Sequence, residues 1–213
     1  MHIPRVGNCG STCRITVDIV FDITCPWCYV GKRRLDMALE RRPAMVAELR
    51  WRPFLLNPEP DIVGFGLSRG RPRNSRRLQH VERLRRAVRG VGQNIGIPFA
   101  FEKIVHSPPT LDAHRLIRLV EAASGAASAR DAVETLMAAF FVDGRDISDP
   151  VVLADIGEAL GLPRAVVEAH LDSSEEIPAV LGENLRAHRL GVNGVPCFIF
   201  NDVYAMAGAQ DVE

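Results

Sequence analysis

The sequence of 213 residues predicts an α/β fold in which a large all-helical insertion interrupts one sheet. Three observations predict this order. A β-branched run at residues 15–21 is followed by a helical pattern and then by an alternating run at residues 48–54. Several helical patterns with no strand between them occupy the middle of the chain. Two short apolar runs near the end of the sequence, at residues 195–201 and 203–206, flank Asp202 and predict a hairpin.

The first region has the pattern of a β-α-β unit. Leu35, Ala38 and Leu39 recur at helical spacing after the first run, and the helix is expected to end near Arg42. A strand, a helix and a second strand in this order predict a parallel pair with a right-handed crossover. Pro53 is expected at the end of the second strand, because proline cannot donate to the ladder.

The predicted insertion covers residues 61–190 and divides the sheet-forming domain into residues 14–60 and 191–213. Residues 1–13 are predicted to be a loose leader. Thr110 is a candidate N-cap. No helix is predicted after the hairpin, although a sheet of this kind is usually covered by one. The helices of the insertion are expected at residues 74–94, 110–117, 129–142, 150–160, 163–171 and 177–190.

The first helix of the insertion is rich in arginine. Nine arginines lie between Arg69 and Arg89, with Glu82 as the only acidic residue among them. A nucleic-acid site is one interpretation. No aromatic residue is interleaved for base stacking, so a solvated helix face is favoured and no nucleic-acid partner is predicted.

The composition is that of an ordinary globular protein. The 26 basic and 26 acidic residues cancel, so no overall field attracts nucleic acid or membranes. No apolar run approaches the ~20 residues that span a bilayer. Residues 1–9 show no hydrophobic region of a secretory signal, so a cytoplasmic location without a membrane partner is predicted. In that reducing compartment, five cysteines favour catalysis or metal binding over structural disulfides.

The segment Cys25-Pro26-Trp27-Cys28 lies where the first strand gives way to the first helix. Pro26 fits the first helical turn, where its missing N–H has no partner to lose. Cys25 is therefore predicted at the helix N-terminus, where free N–H groups and the helix dipole stabilise a thiolate. Cys28 lies one turn deeper and can close a short disulfide with Cys25. The segment predicts a redox-active pair tuned by Pro26 and Trp27.

A zinc site is the main alternative interpretation of this spacing. The sequence holds no second Cys-x-x-Cys and no His-x-x-x-His pair to complete one, although Cys9 and Cys13 can supply two ligands. Cys9 and Cys13 are also candidates for an accessory redox pair. Incidental thiols in a tail are the favoured interpretation, and no metal is predicted.

Five segments carry a family resemblance. They are Phe21-Asp22-x-x-Cys25-Pro26-Trp27-Cys28-Tyr29-x-Gly31, Trp51-Arg52-Pro53-Phe54-x-Leu56-Asn57-Pro58, Ala113-His114-Arg115-Leu116, Gly191-Val192-x-Gly194-Val195-Pro196-x-Phe198 and Gly208-Ala209-Gln210. They resemble the DsbA family of thioredoxin-fold oxidoreductases, and more closely its FrnE-like branch, which is related to 2-hydroxychromene-2-carboxylate isomerase. The resemblance implies a thioredoxin-like sheet. It also implies a cis Val195–Pro196 bond that faces the cysteine pair and positions an extended substrate.

The chain departs from this family at Cys197, where an aromatic residue usually follows the proline. Cys197 is therefore a candidate accessory thiol near the pair, although a small buried core residue is the favoured interpretation. The segment Ser107-Pro108-Pro109-Thr110 also replaces a Pro-Asn-Thr that is frequent in the family.

The leading functional hypothesis is a thiol–disulfide oxidoreductase without a bound cofactor. Its expected partners are protein thiols and disulfides, or glutathione as a co-substrate. A glutathione-dependent isomerase of a small aromatic acid is the alternative, but such enzymes usually carry serine where Cys25 stands. A redox-independent chaperone or binding module is the third hypothesis. Fold kinship also permits a homodimer.

Overall fold

The computed structural model of this chain describes residues 13–57 and 75–212. Cys9, the rest of the predicted leader before Cys13, and the predicted loop at residues 61–74 lie outside the described residues, as does the side chain of Cys13. The strands are β1 (Cys13–Phe21), β2 (Met45–Pro53), β3 (Cys197–Phe200) and β4 (Tyr204–Ala207). The α-helices are α1 (Pro26–Glu40), α2 (Ser75–Asn94), α3 (Leu111–Ser124), α4 (Ala126–Ala138), α5 (Pro150–Ala159), α6 (Arg164–Asp172) and α7 (Ile177–Arg189).

The four strands form one sheet in the order β2-β1-β3-β4. β1 pairs with β2 in parallel, as predicted, with Val17 opposite Leu49. β3 runs antiparallel to both β1 and β4, and Ile19 of β1 lies opposite Phe198. All helices after α1 stand between β2 and β3 in the chain. The predicted α/β architecture with an all-helical insertion is thus confirmed.

The hairpin between β3 and β4 turns where the sequence predicted. Asn201 and Asp202 have φ of 50° and 57°, and Val203 N–H donates to the Phe200 carbonyl at 3.0 Å. Two central residues with positive φ match the twist of antiparallel strands, and asparagine and aspartate tolerate this backbone. After the hairpin, residues 208–212 form no helix.

Each face of the sheet covers its own hydrophobic cluster. Side chains alternate along a strand, so Val17, Ile19 and Phe21 point into the main core with α1, α3 and α4. Val20 points the other way, into a smaller cluster that includes Ala187 of α7. The segment Cys25-Pro26-Trp27-Cys28 therefore follows an interior strand whose second half, residues 17–21, is buried.

Several element bounds differ from the predictions. β2 begins at Met45 rather than at residue 48, because its parallel ladder with β1 extends beyond the alternating part of the sequence. β3 is only four residues long. Thr110 precedes α3 as predicted, but its hydroxyl makes no capping hydrogen bond. α4 continues into a π-helical turn at Ala139–Asp143, a local feature that a 3.6-residue period cannot reveal.

No helix in the described part of the chain is long and apolar enough to cross a membrane.

Candidate redox site

The junction between β1 and α1 places Cys25 at the start of the helix. Cys25 is the N-cap residue of α1, with extended backbone (φ −89°, ψ 111°), and Pro26 is the first helical residue. The Cys25 carbonyl accepts from Cys28 N–H at 2.9 Å and from Tyr29 N–H at 3.3 Å. The Cys25 sulfur therefore stands at the positive end of the helix dipole, the setting that the sequence predicted.

The segment before β3 lies opposite Cys25. The Val195–Pro196 peptide bond is cis, as the resemblance implied. The Cys25 thiol donates to the Val195 carbonyl oxygen at an Sγ–O distance of 3.5 Å, across 170 residues of sequence. The structure thus brings Val195 and Pro196 to the cysteine pair.

Gly31 allows α1 to approach this segment closely. A Cβ atom at Gly31 would lie 3.0 Å from Pro196 Cγ and 3.1 Å from the Phe198 ring. Both distances are shorter than ordinary carbon contacts, so a side chain at Gly31 would require the rings of Pro196 and Phe198 to shift by a few tenths of an ångström. The absence of a side chain here lets α1 pack closely against Pro196 and Phe198.

The two cysteines of the pair have different surroundings. Both are free and buried, with Cys25 7% exposed and Cys28 2% exposed. Burial raises the pKa of Cys28, and the hydrogen bond and charge of Cys25 raise it further. Cys28 is therefore held as a neutral thiol at neutral pH, whereas Cys25 is closer to the surface and to the helix N-terminus. Trp27, between them, is partly buried against the main core.

Asp22 fastens the turn that precedes Cys25. One carboxylate oxygen accepts from the N–H and hydroxyl of Thr24 at 3.0 and 3.1 Å. The other accepts from Leu56 N–H at 2.7 Å, which ties this turn to the segment after β2. Asp22 is fully buried, and burial raises the pKa of its carboxyl despite these hydrogen bonds. Sequence reasoning did not select Asp22, although an acid three residues before Cys25 was the available signal.

Cys197 lies on the other face of the sheet from the main core. It is 5% exposed and packs in the smaller cluster with Val20, Phe54 and Ala187, whereas Cys25 and Cys28 belong to the main cluster. Burial raises the pKa of the Cys197 thiol. These surroundings are those of a core residue.

Within residues 13–57 and 75–212, no group of three or more His, Cys, Asp or Glu side chains is arranged to hold a metal ion.

His114 contacts the strand that leads to the site. Its ring meets Phe21 edge to face, with ring centroids 5.0 Å apart, and it is 1% exposed. Burial lowers the pKa of His114 to about 3. The folded protein therefore holds this ring neutral at pH values where the unfolded chain protonates it. The stability that the neutral His114 ring contributes is fully present above about pH 6.5, the ordinary pKa of histidine. It is lost as the pH falls from there toward about 3, the pKa of His114 in the folded protein.

We expect this histidine to give the protein an acid-sensitive stability. Between about pH 7 and pH 5, protonation of the unfolded state should remove about 2 kcal/mol of unfolding free energy. His114→Leu should flatten this slope, because leucine fills similar space without titrating. Urea unfolding at both pH values measures the difference, with the exposed His80→Gln as control. Equal slopes in wild type and His114→Leu would contradict the assignment. The raised pKa of Asp22 makes the folded state more stable as the pH falls, which opposes the effect of His114. Wild type and variant are therefore compared at each pH, since both contain Asp22.

Residues 16–213 match the family of DSBA-like thioredoxin domains. A probable DsbA oxidoreductase from Streptomyces coelicolor has a similar structure, with a TM-score of 0.79 and 25% identity, over 93% of this chain and 85% of that one. The structure of 2-hydroxychromene-2-carboxylate isomerase gives a TM-score of 0.68 and 20% identity, over 91% and 89% of the two chains.

A third similar structure is that of the cytosolic disulfide reductase DsbM from Pseudomonas aeruginosa with GSH. Its TM-score is 0.62 at 23% identity, over 86% of this chain and 84% of that one. At these identities, the isomerase and the reductase show the shared fold alone.

Proposed function

Because this chain belongs to the family of DSBA-like thioredoxin domains, we propose that it is a thiol–disulfide oxidoreductase whose redox pair is Cys25 and Cys28. The observation that carries the proposal is the position of the Cys25 sulfur. It stands at the N-terminus of α1 and 3.5 Å from the carbonyl oxygen of Val195. Helix N-termini favour the thiolate, which is the form that attacks disulfides.

The reaction needs no group beyond the two cysteines and the substrate. In the reducing direction, the Cys25 thiolate attacks one sulfur of a substrate disulfide, and the other sulfur leaves as a thiolate. Cys28 then loses its proton and attacks the Cys25 sulfur of the mixed disulfide. The second substrate thiol is released, and the enzyme keeps a Cys25–Cys28 disulfide. Two electrons pass to the substrate, and the oxidising direction reverses each step.

The raised pKa of Cys28 fits the resolving role. A resolving thiol that stays protonated does not compete with Cys25 for the incoming substrate. Its deprotonation is then required only after the mixed disulfide has formed. The initial attack is assigned to Cys25 for this reason.

We propose that the surface around Cys25 receives an extended thiol or disulfide substrate. Trp27 and Val195 are partly buried, and Leu56, which is held to Asp22, is 43% exposed. Val195 and Pro196 are proposed to position the substrate backbone. Protein thiols, protein disulfides and glutathione are the proposed partners, in a cytoplasmic setting. That one similar structure was solved with GSH supports the inclusion of glutathione.

Thiol counting across a redox titration tests the proposal. The protein is equilibrated in thiol–disulfide buffers, its free thiols are alkylated, and the intact mass gives the number labelled. Oxidation should remove two of the five labelling sites together, and peptide mapping should find Cys25 joined to Cys28. Cys25→Ser and Cys28→Ser should each abolish this step, whereas Cys197→Ser should retain it. A disulfide that instead uses Cys197, or full labelling in every buffer, would overturn the proposal.

The similarity to 2-hydroxychromene-2-carboxylate isomerase supports a second candidate function, glutathione-dependent isomerisation of a small aromatic acid. An isomerase of this kind does not need a resolving cysteine. Isomerisation that survives Cys28→Ser in the presence of glutathione would favour it, whereas loss of disulfide exchange in the same variant would favour redox chemistry.

A further inference from the structure

A chain of charged side chains joins the redox helix to the helical insertion. We call it the α1–α4 charge network. Its charged members alternate in sign between the two helices, and the neutral hydroxyl of Tyr29 is hydrogen-bonded to it. It consists of Tyr29, Lys32, Arg33 and Asp36 on α1 with Arg130 and Glu134 on α4.

Glu134 is the centre of this network. One carboxylate oxygen accepts from Tyr29 Oη at 2.7 Å and from the Arg33 guanidinium. The other accepts from Lys32 Nζ at 2.5 Å. Burial alone would raise the pKa of Glu134, but the hydrogen bonds and charges of Lys32, Tyr29 and Arg33 outweigh it and lower the pKa. Glu134 is therefore a carboxylate at neutral pH.

The rest of the network lies one turn further along α1. Lys32 Nζ also lies 2.9 Å from an Asp36 oxygen, and the other Asp36 oxygen lies 2.7 Å from the Arg130 guanidinium. The side chains of Lys32 and Asp36 are only 6% and 10% exposed. Water and salt therefore screen these charges less than they screen charges on an open surface. With three cations and two anions, the network carries one excess positive charge.

The network begins on α1 one residue after the cysteine pair. Tyr29 follows Cys28 in the sequence, and its N–H donates to the Cys25 carbonyl at 3.3 Å. Lys32 comes seven residues after Cys25, which is about 10 Å along the helix axis. At this distance, the mostly buried Lys32 ammonium still acts on a thiolate. The side chains of Arg33 and Glu134 are 29% and 28% exposed, so their charges are screened more. A cation stabilises the thiolate of the dithiol form, whereas the disulfide form carries no charge to stabilise.

We propose that Glu134 is a positioning residue that sets the reduction potential of the Cys25–Cys28 pair. It fixes the first turns of α1 against α4 and neutralises cations that would otherwise favour the dithiol form. Without its charge, Lys32 and Arg33 would stabilise the Cys25 thiolate, and the protein would become a stronger oxidant. This inference rests on the proposed redox function and adds to it a means by which the helical insertion adjusts the site.

The test compares equilibrium constants for the exchange in which the enzyme disulfide and two glutathione thiols give the enzyme dithiol and glutathione disulfide. Glu134→Gln removes the charge at nearly constant size and should shift this equilibrium about three- to tenfold toward the dithiol. Glu134→Asp keeps the charge and should restore at least part of the wild-type value. Asp36→Asn makes the same charge change one turn further from the pair and should shift the equilibrium less than Glu134→Gln.

Each outcome of this test decides the inference. If the equilibrium constant of Glu134→Gln equals that of the wild type, the inference is overturned while the proposed function stands. A wild-type protein with no measurable Cys25–Cys28 equilibrium would overturn the proposed function itself. Equal shifts in Glu134→Gln and Asp36→Asn would also overturn the inference. If Glu134→Gln does not fold, the same equilibrium is measured for Lys32→Gln, for which a shift in the opposite direction is expected. Removal of this cation should favour the disulfide, and a shift toward the dithiol would contradict the inference.

Discussion

Cys28→Ser should convert this protein into a trap for its disulfide substrates, whereas Cys25→Ser should leave it inert. In Cys28→Ser, Cys25 still stands at the helix N-terminus and still attacks the substrate. The mixed disulfide then has no resolving thiol beside it and accumulates. A serine hydroxyl at position 25 does not attack disulfides, so we expect exchange to slow by about a thousandfold or more.

Insulin reduction and non-reducing electrophoresis measure these two results. Cys28→Ser should form covalent adducts that a reducing agent releases, and peptide mapping should place them on Cys25. Cys197→Ser is the matched control, because Cys197 packs on the other face of the sheet. Adducts on Cys197, or exchange at the full wild-type rate in Cys25→Ser, would show that the site has been assigned to the wrong thiol.

Arg115→Lys should destabilise the protein strongly, although it conserves the charge. Arg115 is 1% exposed, and its guanidinium donates to four backbone carbonyls around the end of α6. It also donates to Asp112 at 2.7 Å. Lysine keeps the charge but cannot reproduce this planar set of donors, so buried carbonyls would lose their partners.

We expect this substitution to cost about 3 kcal/mol, which corresponds to a fall in Tm of about 6–12 °C. Arg118→Lys is the matched control on the same helix. Arg118 pairs with Glu176 through side chains that are 29% and 35% exposed. Such a partly exposed pair contributes about 1 kcal/mol or less. Thermal and urea unfolding of both variants measure the contrast, and similar small losses would show that the buried donors of Arg115 matter little.

The sequence predicted the parts of the fold that depend on local patterns. The β-branched run around Val17, the helical spacing after Pro26 and the turn at Asn201 each involve neighbours in the chain. The placement of Cys25 at the start of a helix followed from the same kind of pattern. The cis bond at Pro196 came from family resemblance instead, because a single proline does not reveal its isomer.

The features that sequence reasoning missed depend on distant partners. Glu134 contacts Tyr29 across 105 residues, and Arg115 contacts the end of α6 across more than 50 residues. An isolated glutamate or arginine on a helix has the pattern of a solvated residue, and only packing shows that it is enclosed. Thr110 occupies the N-cap position of α3 as predicted, but the residue type alone did not reveal that its hydroxyl makes no capping hydrogen bond.

The antiparallel pairing of β1 with β3 also determines at which stage of folding the site forms. Val20, near the end of β1, lies opposite Cys197 at the start of β3, so the two halves of the site meet only when this pair of strands forms. The contact between Cys25 and Val195 closes a loop of 170 residues, and contacts so distant in sequence slow folding. During synthesis, Cys25 leaves the ribosome long before Val195, the residue that it contacts in the folded protein. We therefore expect the proposed redox site to be completed late, after the helices between its two halves have been made.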